Sequence, residues 1–570
     1  MKPEKIHPLV SEAQEQLRKG LISRRDFLRV AALLGTTVAS ASVLAACGGG
    51  SENTANNNAV NNNAVNNNAA NNNAVADDDA AVAMIKRGGT LRAATRVERV
   101  DHPARFSLVS QSHPWRHVFE YLTYMDANGI TYPYLLDKWN ASEDLLTWTL
   151  TLKQGIQFSD GRELTADDVI FNFGQWFDEE VGSSLMGAMS YVDPNGIEKQ
   201  DDYSVIVHFK SPSIFLPEHL YAYQAMIVPA GFGGDVTLEP IGTGAFTVEE
   251  YVPAERCVLK ARKDYWRMGA DGSPLPYLDE IVLVQLGEDR SADVAALQSG
   301  QVDTIIEPSV SVWEALKDSE FEIVSTPTAA TRVLRMRADQ EPWTDNNVRT
   351  AFKMCQNREK ILAVALQNQG TIGKDFHIAP AHPEYTDIDA LPFDTAGAKK
   401  LLEDAGYPDG LDVELTVASD WPESMAYAQA MKEDAAEAGF NITLKTMPAT
   451  QYWDGWTEWN LGITWWSHRP LAPMLLPLSY IADDTGAFVP WNESHWADDE
   501  FTSILREAES TLDLDERRAL CLKLEEIQRD RGSVCIAFYM NVWKIFASKV
   551  KAVDPSPEEF AIFYETWLDE

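Results

Sequence analysis

Between Leu146 and Phe177 the apolar residues change their period from two to about 3.6, and this switch constrains the fold more than any other feature of the chain. Leu146, Trp148, Leu150 and Leu152 alternate with Thr147, Thr149 and Thr151, the pattern of a half-buried strand. After the turn pair Asp160-Gly161 comes Thr165-Ala166-Asp167-Asp168. Thr followed three residues later by Asp is a capping-box variant, and Val169, Phe173, Trp176 and Phe177 then share one helical face. The alternation recurs downstream. Val205, Val207 and Phe209 read as a strand. Asp345 starts a helix carrying Val348, Ala351, Phe352 and Cys355, and Asp394 caps one with Ala398, Leu401, Leu402 and Ala405, stopped by Gly406 and Pro408. Strands and helices interleaved in this way predict an α/β protein with mixed sheets. Residues 86–570 are enough for two or three domains. No run of about 18 strongly apolar residues follows the N-terminal segment, which excludes a polytopic membrane protein.

The chain carries 48 Lys and Arg against 86 Asp and Glu, a formal net charge of −38, so nucleic acid is not an expected partner. The N-terminus departs from this acidity. Ser23-Arg24-Arg25-Asp26-Phe27-Leu28-Arg29 precedes a mildly apolar segment from Val30 to Ala46, which fits a twin-arginine export signal. Leu44-Ala45-Ala46-Cys47-Gly48 resembles the lipobox of bacterial lipoproteins, which implies a lipidated Cys47 after removal of residues 1–46 and a tether to the lipid bilayer. Residues 47–85 include four Asn-Asn-Asn blocks and Asp77-Asp78-Asp79. Such a tract buries too little to fold and predicts a disordered spacer with a mean reach of about 35 Å.

A family resemblance rests on collinear motifs. Pro133-Tyr134-Leu135-Leu136-Asp137-Lys138-Trp139 is followed by Trp148 through Gly161 and by Leu164-Thr165-Ala166-Asp167-Asp168-Val169. Then come Gly242-Thr243-Gly244-Ala245-Phe246, the run Ala296 through Asp303, Asn347 through Arg358, and Ala398 through Gly410. This series resembles the peptide/nickel-type extracellular solute-binding proteins of ABC importers. The resemblance implies a two-lobed periplasmic-binding-protein fold of type II with a hinge, a small solute held between the lobes, and ABC permease subunits as partners. By motif order lobe I would span 86–330, with an extra subdomain at about 117–235. Lobe II would span 331–539, and residues 540–570 would return to lobe I. It also implies a monomer that binds without chemistry and needs no cofactor, on the periplasmic or extracellular face of the membrane.

In peptide-binding relatives a tryptophan is followed three residues later by an Asp that pairs with the peptide ammonium. The matching stretch is Trp465-Trp466-Ser467-His468-Arg469, with His468 where that Asp is expected. A buried ammonium without a carboxylate is costly, so a free-amine peptide loses its main polar anchor. Trp465 and Trp466 could present an indole face to a sugar or a cation, and Arg469 could pair with a carboxylate or phosphate. Packing of one indole and solvation of Arg469 is the competing reading. An oligopeptide or peptide-like solute leads; an oligosaccharide or other amine-lacking solute is the alternative, and a sensory receptor without transport a further one. Arg96 and Glu98 resemble a cleft-edge segment of lobe I. Trp453, Trp456 and Trp459, spaced by three, read as one packed helical face.

No nucleophile elbow, His-Glu-x-x-His or phosphate-binding Gly-rich loop is present, so no enzyme is expected. His113 and His117 are four apart with His102 nearby, but Pro114 delays any helix there, and local hydrogen bonding is the expected use rather than a metal site. No cysteine framework is expected of a chain exported folded from a reducing cytoplasm, an exported location would still permit a late bridge, and no pairing of Cys257, Cys355, Cys521 and Cys535 can be deduced; Cys355 reads as a small core residue.

Overall fold

A computed structural model describes residues 85–287, 292–483, 485–557 and 560–570. The export signal, Cys47 and all but the last residue of the Asn-rich tract lie outside the described residues.

One twelve-stranded sheet runs through the body. Its order is Phe440–Met447, Leu411–Ala418, Leu461–Trp466, Glu322–Met336, Phe538–Phe546, Thr304–Ile305, Thr90–Ala94, Glu280–Val284, Arg256–Ala261 and Phe246–Val252. Two short strands, Gly370–Ile372 and Val534–Cys535, join it at Phe538–Phe546 and Glu322–Met336. Two strands belong to both halves of this sheet. Residues 322–327 pair with 541–546 on the lobe I side, whereas 331–336 pair with Leu461–Trp466 on the lobe II side. The ladder between these two strands loses register between Pro327 and Thr331. Beyond the break every residue of Glu322–Met336 is buried, because helices cover both faces there. One face packs Leu334, Met336 and Ile463 against Phe352, Leu362 and Tyr427; the other packs Val333, Trp466 and Tyr539 against Phe376, Leu476 and Leu524.

Within the span expected for the extra subdomain lies a separate four-stranded antiparallel sheet in the order Leu136–Ala141, Thr147–Leu152, Ser204–Phe209 and Val192–Asp201. The predicted strand alternation holds from Thr147 to Leu152, where Trp148, Leu150 and Leu152 are buried and the threonines half-buried, while Leu146 is half-buried and precedes the strand. Thr165 and Asp168 form the predicted capping box for the helix Ala166–Trp176, which buries Val169, Phe173 and Trp176. Asp345 and Asp394 cap Asn346–Lys353 and Thr395–Asp404 as predicted, each side chain accepting a backbone N–H of the first turn. Gly242 and Gly244 of the quoted motif have a steric reason. A Cβ at either would fall within 2.5 Å of a carbonyl oxygen of His117 or Val118, because this segment lies directly on that backbone.

Cys257, Cys355, Cys521 and Cys535 are all buried and free. Burial pushes the thiols of Cys257 and Cys355 up to about 12, and those of Cys521 and Cys535 well above the usual thiol range. The thiolate is the reactive form, so all four should resist an aromatic disulfide reagent in the native chain and react in denaturant. Peptide mapping of the labelled sites checks this, and rapid native labelling of any of the four would contradict its placement.

Candidate functional site

Strand directions locate the site. Thr90–Ala94 runs parallel to Thr304–Ile305, which is antiparallel to Phe538–Phe546, itself antiparallel to Glu322–Met336. Thr90–Ala94 therefore points in the same sense as Glu322–Met336, toward the register break. Leu461–Trp466 runs the other way and reaches the break from lobe II, with Trp466 opposite Thr331. Leu411–Ala418 and Phe440–Met447 are parallel to it. The carboxyl ends of strands from both half-sheets thus converge on 327–331, the position where open α/β sheets present their ligand crevices. Arg96 and Glu98 follow the lobe I strand, and residues 465–469 end the lobe II strand.

At the break the ladder hydrogen bonds are replaced by side chains. The Thr328 hydroxyl donates to the Met540 carbonyl (2.7 Å) and accepts from the Ala330 N–H (3.1 Å), and the Thr331 hydroxyl donates to the Phe538 carbonyl at 2.5 Å. The Ala329 N–H donates to His468 Nδ1 at 3.1 Å. This fixes His468 as the neutral tautomer with its proton on Nε2, an atom that is buried without a hydrogen-bond partner among the described residues. Burial, reinforced by His382 and the Arg469 cation, lowers the His468 ring to about 3. His382 lies nearly parallel to it at 6.3 Å and donates from Nε2 to the Arg469 carbonyl at 3.0 Å. The residue at the expected Asp position is therefore an uncharged ring bound to the backbone of the crossing strand.

The two adjacent indoles point to opposite faces. Trp465 is 40% exposed, and the guanidinium carbon of Arg332, its register partner, lies 5.3 Å from its ring centre. Arg332 reaches Glu423 in the first turn of the helix Pro422–Ala436, Nη2 to Oε2 at 3.4 Å. Trp466 is buried, its Nε1–H donating to Glu493 Oε1 at 2.7 Å. The other oxygen of Glu493 accepts from Arg335 Nε at 3.2 Å and from the Thr464 hydroxyl. Ser467 and Arg96 are exposed. Arg469 Nη1 donates to the His468 carbonyl at 2.9 Å. Glu98 is held by the Ser110 hydroxyl on its carboxylate and by the Tyr251 hydroxyl on its carbonyl.

The single helical face expected for Trp453, Trp456 and Trp459 does not form, because the helix Ala449–Asp454 ends before the last two. Trp453 and Trp456 join a relay of edge-to-face rings instead, and Trp459 lies tilted against Tyr452 at 6.5 Å. Trp421 meets Trp453 at 5.4 Å, Trp453 meets Trp456 at 5.4 Å, Trp456 meets Trp491 at 6.5 Å, and Trp491 meets Trp466 at 6.0 Å. Trp453 and Trp491 remain 40% and 46% exposed. Sequence reading missed Arg332, Glu423, Glu493 and Trp491. Only Arg332 left a trace, as a charge interrupting an apolar strand. His102, His113 and His117 are taken up locally: His102 accepts from the Ala104 N–H, His113 bonds the Thr95 hydroxyl, and His117 Nδ1 bonds the His113 carbonyl. Among the described residues no three His, Cys, Asp or Glu side chains gather as a metal site.

Because His468 ionises near 3 when folded and near 6.5 when unfolded, the unfolded chain takes up its proton first as the pH falls. Its contribution is complete above about 6.5 and is lost between there and 3. His468→Gln, which can still accept from Ala329, should flatten the rise of stability with pH in that window by up to about 1.4 kcal/mol per pH unit. Urea unfolding at several pH values measures this, and an unchanged slope would show that the ring is not held neutral.

Residues 131–483 match the sequence model described as "Bacterial extracellular solute-binding proteins, family 5 Middle". The glutathione-binding protein GsiB of Salmonella paratyphi A is 27% identical over 322 residues, covering 56% of this chain and 61% of that protein. The chain thus spans about three-fifths of that relative's length. Heme-binding protein A of Haemophilus influenzae is 24% identical over 475 residues, covering 77% of this chain and 84% of its own. Among solved structures, the periplasmic binding protein DppA of Helicobacter pylori in complex with the peptide STSA superposes with a TM-score of 0.69 at 22% identity, covering 85% of this chain and 99% of that one. Motifs, two-lobed fold and sequence match agree: the chain belongs to the family 5 bacterial extracellular solute-binding proteins.

Proposed function

We propose that this chain is the lipid-anchored receptor of an ABC importer, capturing a peptide or peptide-like solute between its lobes and delivering it to a membrane permease. The twin-arginine segment would export it, Cys47 would anchor it, and residues 47–85 would space the globule from the bilayer. Lobe I would be 86–330 with its subdomain near 117–235, lobe II 331–539, and 540–570 the return. The observation that carries this reading is the exposed Trp465, backed by Arg332, where strands from both half-sheets end at the register break. Closure of two lobes on a ligand needs joining segments that can absorb a change of backbone angles, and the unladdered stretch 328–330 is suited to that. A solute layered on Trp465 would gain dispersion from the indole and charge complementarity from Arg332, so a carboxylate-bearing solute fits. The names of relatives that bind glutathione, and peptide in one solved complex, support a peptide-like solute.

A second reading has its own observation. His468 is neutral and bound to Ala329, so it offers no countercharge to a ligand ammonium. An oligosaccharide or other solute lacking an amine would not need one.

Native mass spectrometry of the chain purified without denaturation decides between them. An added mass that fragments as a peptide supports the first reading, and a hexose multiple supports the second. With the solute in hand, Trp465→Ala should weaken its binding roughly 10- to 30-fold by calorimetry. Undiminished affinity would remove Trp465 from the site.

A further inference from the structure

Apart from the cleft, a cavity of about 210 Å³ lies where the extra subdomain meets Pro383, Leu471 and the segment 512–517. The subdomain supplies Thr131, Trp139, Trp148 and Glu218, and the helix Leu514–Arg531 supplies Arg517. Ile130 and Leu512, 38% and 57% exposed, lie at its rim. Three polar atoms of its lining residues are buried with no hydrogen-bond partner among the described residues: Glu218 Oε2, Thr131 Oγ1 and Trp148 Nε1. The Thr131 hydroxyl comes near enough to favour the ionised form of Glu218 but stays outside hydrogen-bonding geometry. Three such atoms on residues that line one cavity point to a missing partner.

The charges specify what that partner is. Arg517 is already engaged, its Nε donating to Glu384 Oε1 at 2.8 Å and its Nη1 to the carbonyls of Thr511 and Leu512 at 2.8 and 3.1 Å. Glu218 has no such ion pair among the described residues. Burial pushes its carboxyl up to about 7; Arg517 opposes that shift and Glu384 adds to it. A buried carboxylate without a countercharge is costly, and a cation brought to Oε2 removes the cost. Indole walls favour a cation over a neutral guest, and the unpaired Trp148 N–H calls for an acceptor on the same molecule.

We propose that this cavity is a second ligand site, taking a small primary ammonium that carries one hydrogen-bond acceptor. The ammonium bonds Glu218 Oε2 and Thr131 Oγ1, the acceptor receives the Trp148 Nε1–H, and the carbon body lies against Trp139. Because the walls come from the subdomain and from segments beyond residue 380, such a ligand also fastens these parts together. The proposal does not depend on what the main cleft binds.

Ethanolamine is the probe, titrated by calorimetry into the full-length chain. Saturable binding is expected, with ethanol giving no signal. Glu218→Gln should weaken ethanolamine binding roughly 10- to 100-fold, the worth of a charge-assisted hydrogen bond. Leu512→Trp, at the exposed rim, should weaken it by obstruction while the melting temperature of the free protein stays unchanged, which keeps the test usable should Glu218→Gln fold poorly. Trp465→Ala should retain ethanolamine binding. Absence of binding to the wild type, undiminished binding to Glu218→Gln or Leu512→Trp, or loss of binding on Trp465→Ala alone would each overturn the proposal.

Discussion

Two strands, Glu322–Met336 and Phe538–Phe546, are shared by both halves of the main sheet, and the rest of the body depends on how their ladder is interrupted. Buried backbone groups must be bonded somewhere. Where the ladder breaks, between Pro327 and Thr331, the task passes to the hydroxyls of Thr328 and Thr331 and to the ring of His468. The first two belong to the crossing strand. His468 comes from the segment that carries Trp465, so the same few residues complete the break and end the strand Leu461–Trp466 beside it.

That coupling explains why a histidine at this position is neutral. An imidazole that accepts a backbone N–H cannot be protonated on that nitrogen, and burial depresses its basicity further. Charge is placed elsewhere: Arg332 lies against the exposed indole, and Arg335 shares Glu493 with the buried one. The paired indoles of residues 465 and 466 thus divide their tasks by strand alternation, one facing outward and one locking the wall to the carboxylate below.

Much of the architecture was legible in the chain. Alternation from Leu146 to Leu152, the capping box at Thr165 and Asp168, and the caps at Asp345 and Asp394 are local signals, and local geometry enforces them whatever the fold around them. The site was legible only in part. Trp465 and His468 stood out by motif position, but Trp491 sits in an irregular segment without periodicity, and Glu493 gains its meaning only from three partners distant in sequence. The spacing of Trp453, Trp456 and Trp459 misled because it presupposed a helix that ends at Asp454.

The sequence by itself determined the interleaved α/β elements, their caps and the family, because these follow from short-range periodicity and from collinear motifs. Only the tertiary structure decided which of two neighbouring indoles is exposed, that His468 serves the backbone of Ala329, and that Glu218 lines a cavity whose Arg517 is already bonded to Glu384. The physical reason is that these properties belong to pairs of residues far apart in the chain. Burial, protonation state and the presence of a partner are set by what the fold brings alongside, and no local pattern records it.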